Sequence, residues 1–452
     1  IKIAVSHHNR GNLQKARFIY EKVLEKNQCS ADALHLLGLI DYQEGSHQKA
    51  IEKIKKAIQI TSDIAIFHNN LGMVYDSIKK EEESAECFKK ALKINSRYDK
   101  AYLAHYNLGI FHKDKGEINE ALNHYNKSIE LNPDFAEAHW NKALVLLQLG
   151  SLEEGFKEFE YRFKKSIPTD SRIFSKPKWD GSSLKNKKLL IVSEQGLGDS
   201  IQFIRYLPLI KKENTKIILE CKKELGELFK NISSIDEFIE KKKGVPNAEF
   251  DFYIHLMSLP LIFKTGLNSI PNEVPYIKAN HYLANKFKTI TDTDKFKIGI
   301  VWAGNPNHEN DKNRSTTPDK FKVLKEISGV ELFSLQKDIS PNQLELDCSE
   351  IIGLDKNMDD FADTSAIMEN LDLIISVDTS IAHLAGAMNK PVWTLLSKIS
   401  DWRWLLNRDD SPWYPSMRLF RQKELGDWNS LMKEVGKELK ILLAKQLNTP
   451  QA

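Results

Sequence analysis

Residues able to bind an anion stand directly after a mainly apolar segment late in the chain. Asp378, Thr379 and Ser380 follow residues 371–377, and His383 comes within the next helical turn. The apolar segment has the pattern of a strand buried on both faces, and the three polar residues can cap a helix. A helix N terminus carries free N–H groups and a positive dipole end, so this arrangement suits a phosphate. On these residues alone, a plain helix cap with a surface histidine is an equal alternative.

The elements around His383 follow from the same pattern. A cation is disfavoured at the positive end of a helix, so we expect a neutral imidazole that donates one N–H to an anion. Small residues within 381–388 favour a helix lying close to a sheet, and Val392–Leu396 has the composition of a second strand. The segment therefore predicts a βαβ unit, with its polar residues at the carboxyl end of the first strand, where open α/β sheets bind ligands.

Two further strand ends in this region carry polar residues. Segments 297–302 and 330–335 have the composition of buried strands, and each precedes candidate ligands. These ligands are Asn305, Arg314, Gln336 and Lys337. The carboxyl ends of parallel strands share one edge of a sheet, so we expect these side chains beside His383. Arg314 and Lys337 could neutralise a diphosphate, and the convergence favours a ligand site more than any single motif does.

A glycine-rich turn follows an earlier apolar strand, 189–192. Strand, turn and helix in this order are typical of a phosphate-binding loop, but the third glycine of the dinucleotide fingerprint is missing and Gln202 stands nearby. Gly196 and Gly198 are better explained by close approach of the backbone to a ligand or by turn geometry. Asp199 is then placed near a helix N terminus, either facing a cleft above the sheet or acting as a simple cap.

The first third of the chain is an internal repeat. Gly38 and Gly72 are 34 residues apart, as are Gly109 and Ala143, and a small and then a large residue follow each at fixed spacing. A 34-residue helix–turn–helix unit resembles the tetratricopeptide repeat, whose arrays form a superhelix with a concave face that holds a peptide or protein. Support of the second half, or formation of a homo-oligomer, is the alternative. The chain begins inside a repeat, so we expect residues before Ile1.

Composition sets limits on partner and compartment. The 452 residues are 41% hydrophobic and 28% charged with a net charge of +3, which gives no support to a nucleic-acid binder. The four cysteines, among them Cys348, show no metal or disulfide spacing, and no apolar run approaches the length of a membrane span. We therefore expect a cytoplasmic protein of a reducing compartment, without a membrane span.

Two segments carry a family resemblance that spans about residues 185–445. VDTSIAHLAGAMNKPVWTLL and, upstream, EQGLGDSIQFIRYLPL resemble the heptosyltransferase-type glycosyltransferases of family nine, whose GT-B fold has two Rossmann-like domains facing a cleft. With tetratricopeptide repeats in front, the layout is similar to that of the protein O-GlcNAc transferases. The resemblance implies that Asp199 is the acceptor base. It also implies that the diphosphate of a nucleotide-sugar donor is bound by Asp378, Thr379, Ser380 and His383.

The expected fold is an α superhelix followed by an α/β GT-B fold. Further strands are predicted at 215–220, 236–239, 251–256 and 417–420. The D-x-D sequence of Asp292 to Asp294 could hold a metal, but it follows no strand and we interpret it as linker. The domain boundaries are then 1–165 for the repeat array, 166–186 for a linker, 187–292 for the acceptor-side Rossmann-like domain, 293–425 for the nucleotide-sugar domain and 426–446 for a closing helix.

The combined interpretation is a metal-independent glycosyltransferase with a nucleotide-sugar co-substrate and no cofactor. The helix N terminus at His383, with Arg314 and Lys337, would stabilise charge on the leaving phosphate, and Asp199 would take the proton from the acceptor hydroxyl. We expect the repeats to hold a protein or peptide acceptor. A glycan or lipid-linked acceptor, and a binding scaffold without activity, are the two alternatives.

Aromatic residues close to these motifs have two interpretations. Trp302, Trp402 and Trp404 could line a pocket for the base or the sugar. Aromatic side chains in such segments also pack one element against another, and the sequence favours packing for most of them.

Overall fold

The computed structural model of the chain describes residues 1–211, 214–308, 310–337 and 351–447. Cys348, and Glu309 within the polar loop that contains Asn305 and Arg314, lie outside the described residues. The chain divides into two compact units. One comprises Ile1–Val145 with Lys164–Ser166, and the other comprises Leu146–Phe163 and the described residues from Ile167 onward.

The N-terminal part is the predicted array of helix–turn–helix repeats. Gly45 and Gly116 take left-handed conformations, with φ of +77° and +78°, and Lys79 takes the equivalent place between its two helices with φ of +61°. Such residues end one helix so that the chain can turn into the next. The helices are α1 Lys2–Asn9, α2 Leu13–Lys26, α3 Ala31–Gln43, α4 His47–Ile60, α5 Ala65–Ser77, α6 Glu81–Ile94, α7 Ala101–Asp114, α8 Ile118–Leu131, α9 Ala136–Gln148 and α10 Leu152–Phe159.

The repeated small residues have a packing reason. A Cβ atom at Gly72 would come within 2.9 Å of the Phe88 ring, and one at Gly38 within 2.7 Å of Ile54. The hydroxyl of Ser84 donates to the carbonyl oxygen of Gly72 at 2.9 Å. The small and large residues that recur in each repeat therefore meet where its two helices cross, and this confirms the helical array.

The first α/β domain contains a parallel four-stranded sheet. Its strands are β1 Lys188–Val192, β2 Lys216–Cys221, β3 Glu237–Glu240 and β4 Phe252–His255, in the order β3-β2-β1-β4. Its helices are α11 Leu197–Phe203, α12 Leu207–Ile210, α13 Gly226–Phe229, α14 Leu259–Ile262 and α15 His281–Lys288. The segment before β1 lies against this sheet, since Lys178 forms a parallel bridge with Tyr253.

The second α/β domain contains a parallel six-stranded sheet in the order β10-β9-β8-β5-β6-β7. Strand β8 lies between β9 and β5 and is buried along its whole length, as its apolar sequence predicts. The strands are β5 Phe296–Val301, β6 Val330–Ser334, β7 Ile352–Gly353, β8 Leu373–Val377, β9 Val392–Leu396 and β10 Met417–Arg421. The helices are α16 Asp311–Arg314, α17 Lys322–Lys325, α18 Phe361–Glu369, α19 Ser380–Ala387 and α20 Trp428–Leu447.

Helix α20 packs on the second sheet through Trp428, Leu431 and Val435, which share a buried cluster with Ile300 and Ile375. The two parallel sheets confirm the predicted α/β architecture. None of the described helices is both long and apolar enough to cross a membrane.

Candidate active site

The N terminus of α19 is built by the end of β8. The Thr379 side chain caps the helix by accepting from the backbone N–H of Ile381 at 3.3 Å, and it lies 3.0 Å from the hydroxyl of Ser376. Gly386 leaves room for the ring of Tyr414 against the same helix. The predicted βαβ unit is therefore present, and its small residues allow close packing.

His383 is buried, not a surface residue. Its side chain lies one turn inside α19, its Nδ1 atom is 2.9 Å from the Tyr414 hydroxyl, and its ring stacks on Trp404 with centroids 5.2 Å apart. Burial, and then the charges of Arg403, Arg205 and Arg314, hold the pKa of His383 well below its ordinary value. The imidazole is therefore neutral near pH 7, and burial is the largest cause of its lowered pKa.

Arg314 reaches this site from the loop after β5. Its Nη1 donates to the carbonyl oxygen of Asp378 at 3.1 Å, and its Nε donates to Asp311 at 3.2 Å. A Cβ atom at Gly304 would lie 2.8 Å from the guanidinium carbon, so the missing side chain makes space for it. Asn305 lies in the exposed part of the loop, where its side chain accepts from the backbone of Asn307.

The carboxyl group of Asp378 is perturbed by its position. Burial, and then the negative charge of Asp401, raises the pKa of Asp378 above its ordinary value. A raised pKa brings the carboxyl group closer to protonation, and a protonated carboxyl group does not repel a phosphate.

Gln336 and Lys337 are engaged with the backbone. The amide oxygen of Gln336 accepts from the N–H groups of Trp302 and Ala303 at 3.3 and 3.0 Å, and its amide nitrogen donates to the carbonyl oxygen of Lys337. The ammonium group of Lys337 donates to the carbonyl oxygen of Asp359 at 2.7 Å. In this structure, Gln336 ties the ends of β5 and β6 together, and Lys337 is exposed.

The glycine-rich turn of the first domain meets α19. A Cβ atom at Gly198 would lie 2.8 Å from Cδ2 of His383 and 3.5 Å from Cα of Ser380. Asp199 accepts from the backbone N–H of Gly196 at 2.7 Å and closes the first turn of α11. The two motifs that the sequence places about 180 residues apart are therefore in contact, and Gly198 is needed for that approach.

Arg403 is a site residue that the sequence interpretation missed. Its Nη2 pairs with Asp199, its Nη1 donates to Asp401 at 2.7 Å, and its Nε donates to the buried amide oxygen of Gln202 at 2.8 Å. The guanidinium lies over the Trp402 ring, 4.3 Å from the centroid. The sequence feature that could indicate it is an arginine between two tryptophans, Trp402 and Trp404.

The three tryptophans have different environments. Trp302 lies in the buried cluster of the second sheet, and Trp404 stacks on His383. Trp402 packs edge-on against Phe156 of α10, with centroids 5.9 Å apart, and also contacts Phe203 of α11. All three side chains are at most 5% exposed, so the packing interpretation describes Trp302 and Trp402 in this structure.

Taken together, the contacts place the capped N terminus of α19, the neutral His383 and Arg403 close to Asp199, while Arg314 bonds to the carbonyl oxygen of Asp378. Donor groups of this kind stabilise negative charge that develops on a leaving phosphate. Among the described residues, no group of three histidine, cysteine or acidic side chains could hold a metal ion, and Asp292 and Asp294 lie between α15 and β5.

Comparisons with known proteins divide the chain in the same way. Residues 112–150 match a family model described as TPR repeat, and residues 65–98 match one described as tetratricopeptide repeat. Residues 358–430 match the model described as glycosyltransferase family 9 (heptosyltransferase). This last match includes Asp378, His383 and Arg403 but not the first α/β domain.

Similar individual proteins include one that extends over both halves. Protein FlbA of Caulobacter vibrioides is 25% identical over 428 residues, which are 88% of this chain and 70% of that protein. BBSome complex member BBS4 of Bos taurus is 28% identical over 148 residues, 32% of this chain and 28% of that protein. The crystal structure of MamA matches 36% of this chain and 92% of its own, with 25% identity and a TM-score of 0.32.

Proposed function

We propose that this chain, which carries tetratricopeptide repeats followed by a glycosyltransferase family 9 domain, transfers a hexosyl or heptosyl group from a nucleotide sugar to a protein or peptide acceptor without a metal ion. The family 9 domain supports glycosyl transfer. The contact of the Gly198 turn with His383 supports the more specific proposal. It places Asp199, the candidate acceptor base, close to the candidate diphosphate site.

The donor diphosphate is assigned to the N terminus of α19. Sugar transfer leaves a nucleoside diphosphate, so negative charge grows on the leaving oxygen. The N–H groups at Ser380, the neutral imidazole of His383 and the guanidinium of Arg314 are donors suited to that charge. Because these groups are held by capping, burial and hydrogen bonds, they need little reorganisation during the reaction.

The acceptor hydroxyl is assigned to the side of Asp199. This carboxylate lies on α11, which contacts α19 through Gly198 and His383. A carboxylate placed within reach of an acceptor hydroxyl can take its proton as the sugar is transferred.

The acceptor is assigned to the concave part of the repeat array. A groove of about 800 Å³ in the array is lined mostly by uncharged polar and apolar side chains, including Gln43 and Asn70. Hydrogen bonds connect Tyr98 to Asn69 at 2.7 Å, Asn69 to Asn70 at 3.1 Å and Asn70 to His35 at 2.8 Å. Amide and phenol groups match the uncharged polar groups of a peptide main chain better than they match a charged lipid headgroup.

A thermal-shift series with UDP, GDP, ADP, CDP and TDP tests the donor half. A nucleotide that binds the native state raises the melting temperature. We expect a rise with one base that persists in EDTA, followed by transfer from the matching nucleotide sugar. No rise with any nucleotide would favour the inactive scaffold, and a rise that EDTA abolishes would contradict metal independence.

A comparison of acceptors tests the other half. With the identified donor, we expect transfer to members of a peptide library, and we expect Asn70→Ala to reduce it by weakening acceptor binding. Lys22→Ala, which removes an exposed ion pair with Glu25, is the matched control. Transfer to free or lipid-linked glycans alone, unchanged by Asn70→Ala, would support the glycan alternative.

A further inference from the structure

Arg403 is a buried charged side chain at the candidate site, and the proposed reaction assigns it no role. It is 8% exposed, and its three nitrogen atoms bond to Asp199, Gln202 and Asp401. Burying a guanidinium is costly unless its geometry is well satisfied, so such a residue is either structural or held ready for a ligand.

The bonding pattern leaves part of the guanidinium available. A guanidinium has five N–H donors, and one each on Nε, Nη1 and Nη2 is used by these three partners. One N–H on each terminal nitrogen therefore has no partner among the described residues. Nη1 and Nη2 are bonded to the same carbon atom, and one N–H from each can form a fork that binds two phosphate oxygens.

The neighbours of Arg403 place it close to the proposed donor site. Its partner Asp199 stands next to Gly198, which touches both Ser380 and His383 at the N terminus of α19. Trp404, the next residue, stacks on the His383 ring. Of the three arginines whose charge acts on His383, Arg403 has the largest effect.

Asp199 is the side chain that fixes the guanidinium in this orientation. Its Oδ2 atom is held by the N–H of Gly196, so its Oδ1 atom presents a fixed acceptor to Arg403. Gln202, one turn further along α11, holds the Nε atom, so the acceptor-side helix positions an arginine that belongs to the donor-side domain.

We propose that Arg403 binds the diphosphate of the donor and that Asp199 positions Arg403 for this, in addition to facing the acceptor. This inference rests on the proposed function. It makes a donor ligand of a residue on the segment between β9 and β10, and it makes nucleotide affinity depend on a residue of the first domain.

The test is a set of affinities for the nucleoside diphosphate that the thermal-shift series identifies, measured by calorimetry on the full chain. Arg403→Gln should weaken binding by about 10- to 100-fold, the range for loss of hydrogen bonds to a charged group. Asp199→Asn should also weaken it, and the double variant should be no weaker than Arg403→Gln alone, because both changes remove one interaction.

The sign of the Asp199→Asn effect separates the two roles of the carboxylate. If Asp199 were only an acceptor base, removing its negative charge would leave the affinity for the anionic nucleotide unchanged or increase it, while transfer would still fall. That result, or unchanged affinity in Arg403→Gln, would overturn the inference and leave the glycosyltransferase proposal standing. A wild-type chain that binds no nucleotide would instead contradict the proposed function.

Two control variants test whether the effect is specific to the guanidinium of Arg403. Arg408→Gln removes an exposed arginine paired with Asp410 and should leave the affinity unchanged. Arg403→Lys keeps the charge without the fork and should restore only part of the affinity, whereas full restoration would show that charge alone suffices. Circular dichroism and thermal unfolding of each ligand-free variant establish that it is folded.

Discussion

The two parallel sheets, of four and six strands, carry different side chains at their carboxyl edges. At the first sheet, Arg162 and Arg172 from the preceding segment pair with Glu194, just after β1, and with Glu220 of β2, at 2.9 and 2.7 Å. At the second sheet, β8 ends in a capped helix N terminus, beside which Arg314 bonds to a carbonyl oxygen. The first edge therefore holds arginines that are bound to buried carboxylates, whereas the second edge also presents the N terminus of α19 and the neutral His383.

The first edge is closed by a buried charge network. Arg162 has no exposed surface and lies between the rings of Phe159 and Phe163, with its guanidinium 4.8 and 4.0 Å from their centroids. Nη1 of the same arginine bonds to Glu160, and His255 at the end of β4 bonds to Asp170. This edge is therefore structural, whereas at the second edge Thr379 caps α19 and His383 contacts the Tyr414 hydroxyl.

Removing the charge at the first edge should have the largest effect on stability. Arg162→Met leaves the fully buried Glu194 carboxylate without its partner, and breaking such a pair costs about 3–5 kcal/mol of unfolding free energy. Denaturant unfolding measures the change. The exposed pair of Arg408 and Asp410 is the control, with an expected loss of at most about 1 kcal/mol for Arg408→Ala. Equal losses in the two variants would contradict the distinction between the edges.

Removing a donor at the second edge should act on the rate instead. His383→Ala should reduce kcat about 100-fold, as expected for the loss of one preorganised donor to a developing charge. Steady-state kinetics with the identified nucleotide sugar provide the measurement. His281→Ala, an exposed histidine at the start of α15, should leave kcat unchanged. Normal turnover in His383→Ala would remove the imidazole from the mechanism.

The first edge should also confer sensitivity to acid. Burial alone would raise the pKa of Glu160, but the charges of Arg162 and Lys178 lower it to about 2 from an ordinary 4.5. The stabilisation by Glu160 is therefore fully present above about pH 4.5 and is lost as the pH falls towards 2. Unfolding free energies of Glu160→Gln should depend less steeply on pH in this window than those of the wild type. Parallel curves for the two proteins would disprove the assignment.

A smaller effect is expected from the bond that orients the histidine. Tyr414→Phe removes the hydroxyl that lies 2.9 Å from Nδ1 of His383 and keeps the ring. Since a neutral imidazole depends on its partner for tautomer and orientation, kcat should fall about 3- to 10-fold, the range for one neutral hydrogen bond. Tyr282→Phe, on an exposed tyrosine, is the control. An unchanged kcat would mean that packing against Trp404 alone holds the ring.

Local pattern predicted the elements well because their stability is local or depends on one apolar face. Strand β9 was predicted with its observed bounds, and the 34-residue spacing placed the repeats. Strand β7 has only two residues, Ile352–Gly353, both exposed, and offered no apolar run to detect. Helices α15 and α18 were also not predicted, because with 8 and 9 residues they offer too little periodic pattern to detect.

The candidate site was harder to predict because tertiary contacts determine which partners its side chains bond to. Nothing near Arg403 in the sequence indicates that its partners are Asp199 and Gln202, about 200 residues earlier. Gln336 and Lys337 follow β6 as expected, yet their polar groups meet the backbone. Sequence pattern identifies which edge of a sheet carries polar residues. It does not show which of their polar groups already bond to other parts of the protein.

The packing of Phe156 on Trp402 limits how the repeat array can change. Helix α10 completes the last repeat, yet it lies in the same compact unit as the candidate site, where Phe156 contacts the residue next to Arg403. Both partners of that contact lie after residue 146, so insertion or deletion of whole repeats before this residue leaves them in place. The last helix is the exception, because exchanging it for a helix from another repeat would remove the contact of Phe156 with Trp402.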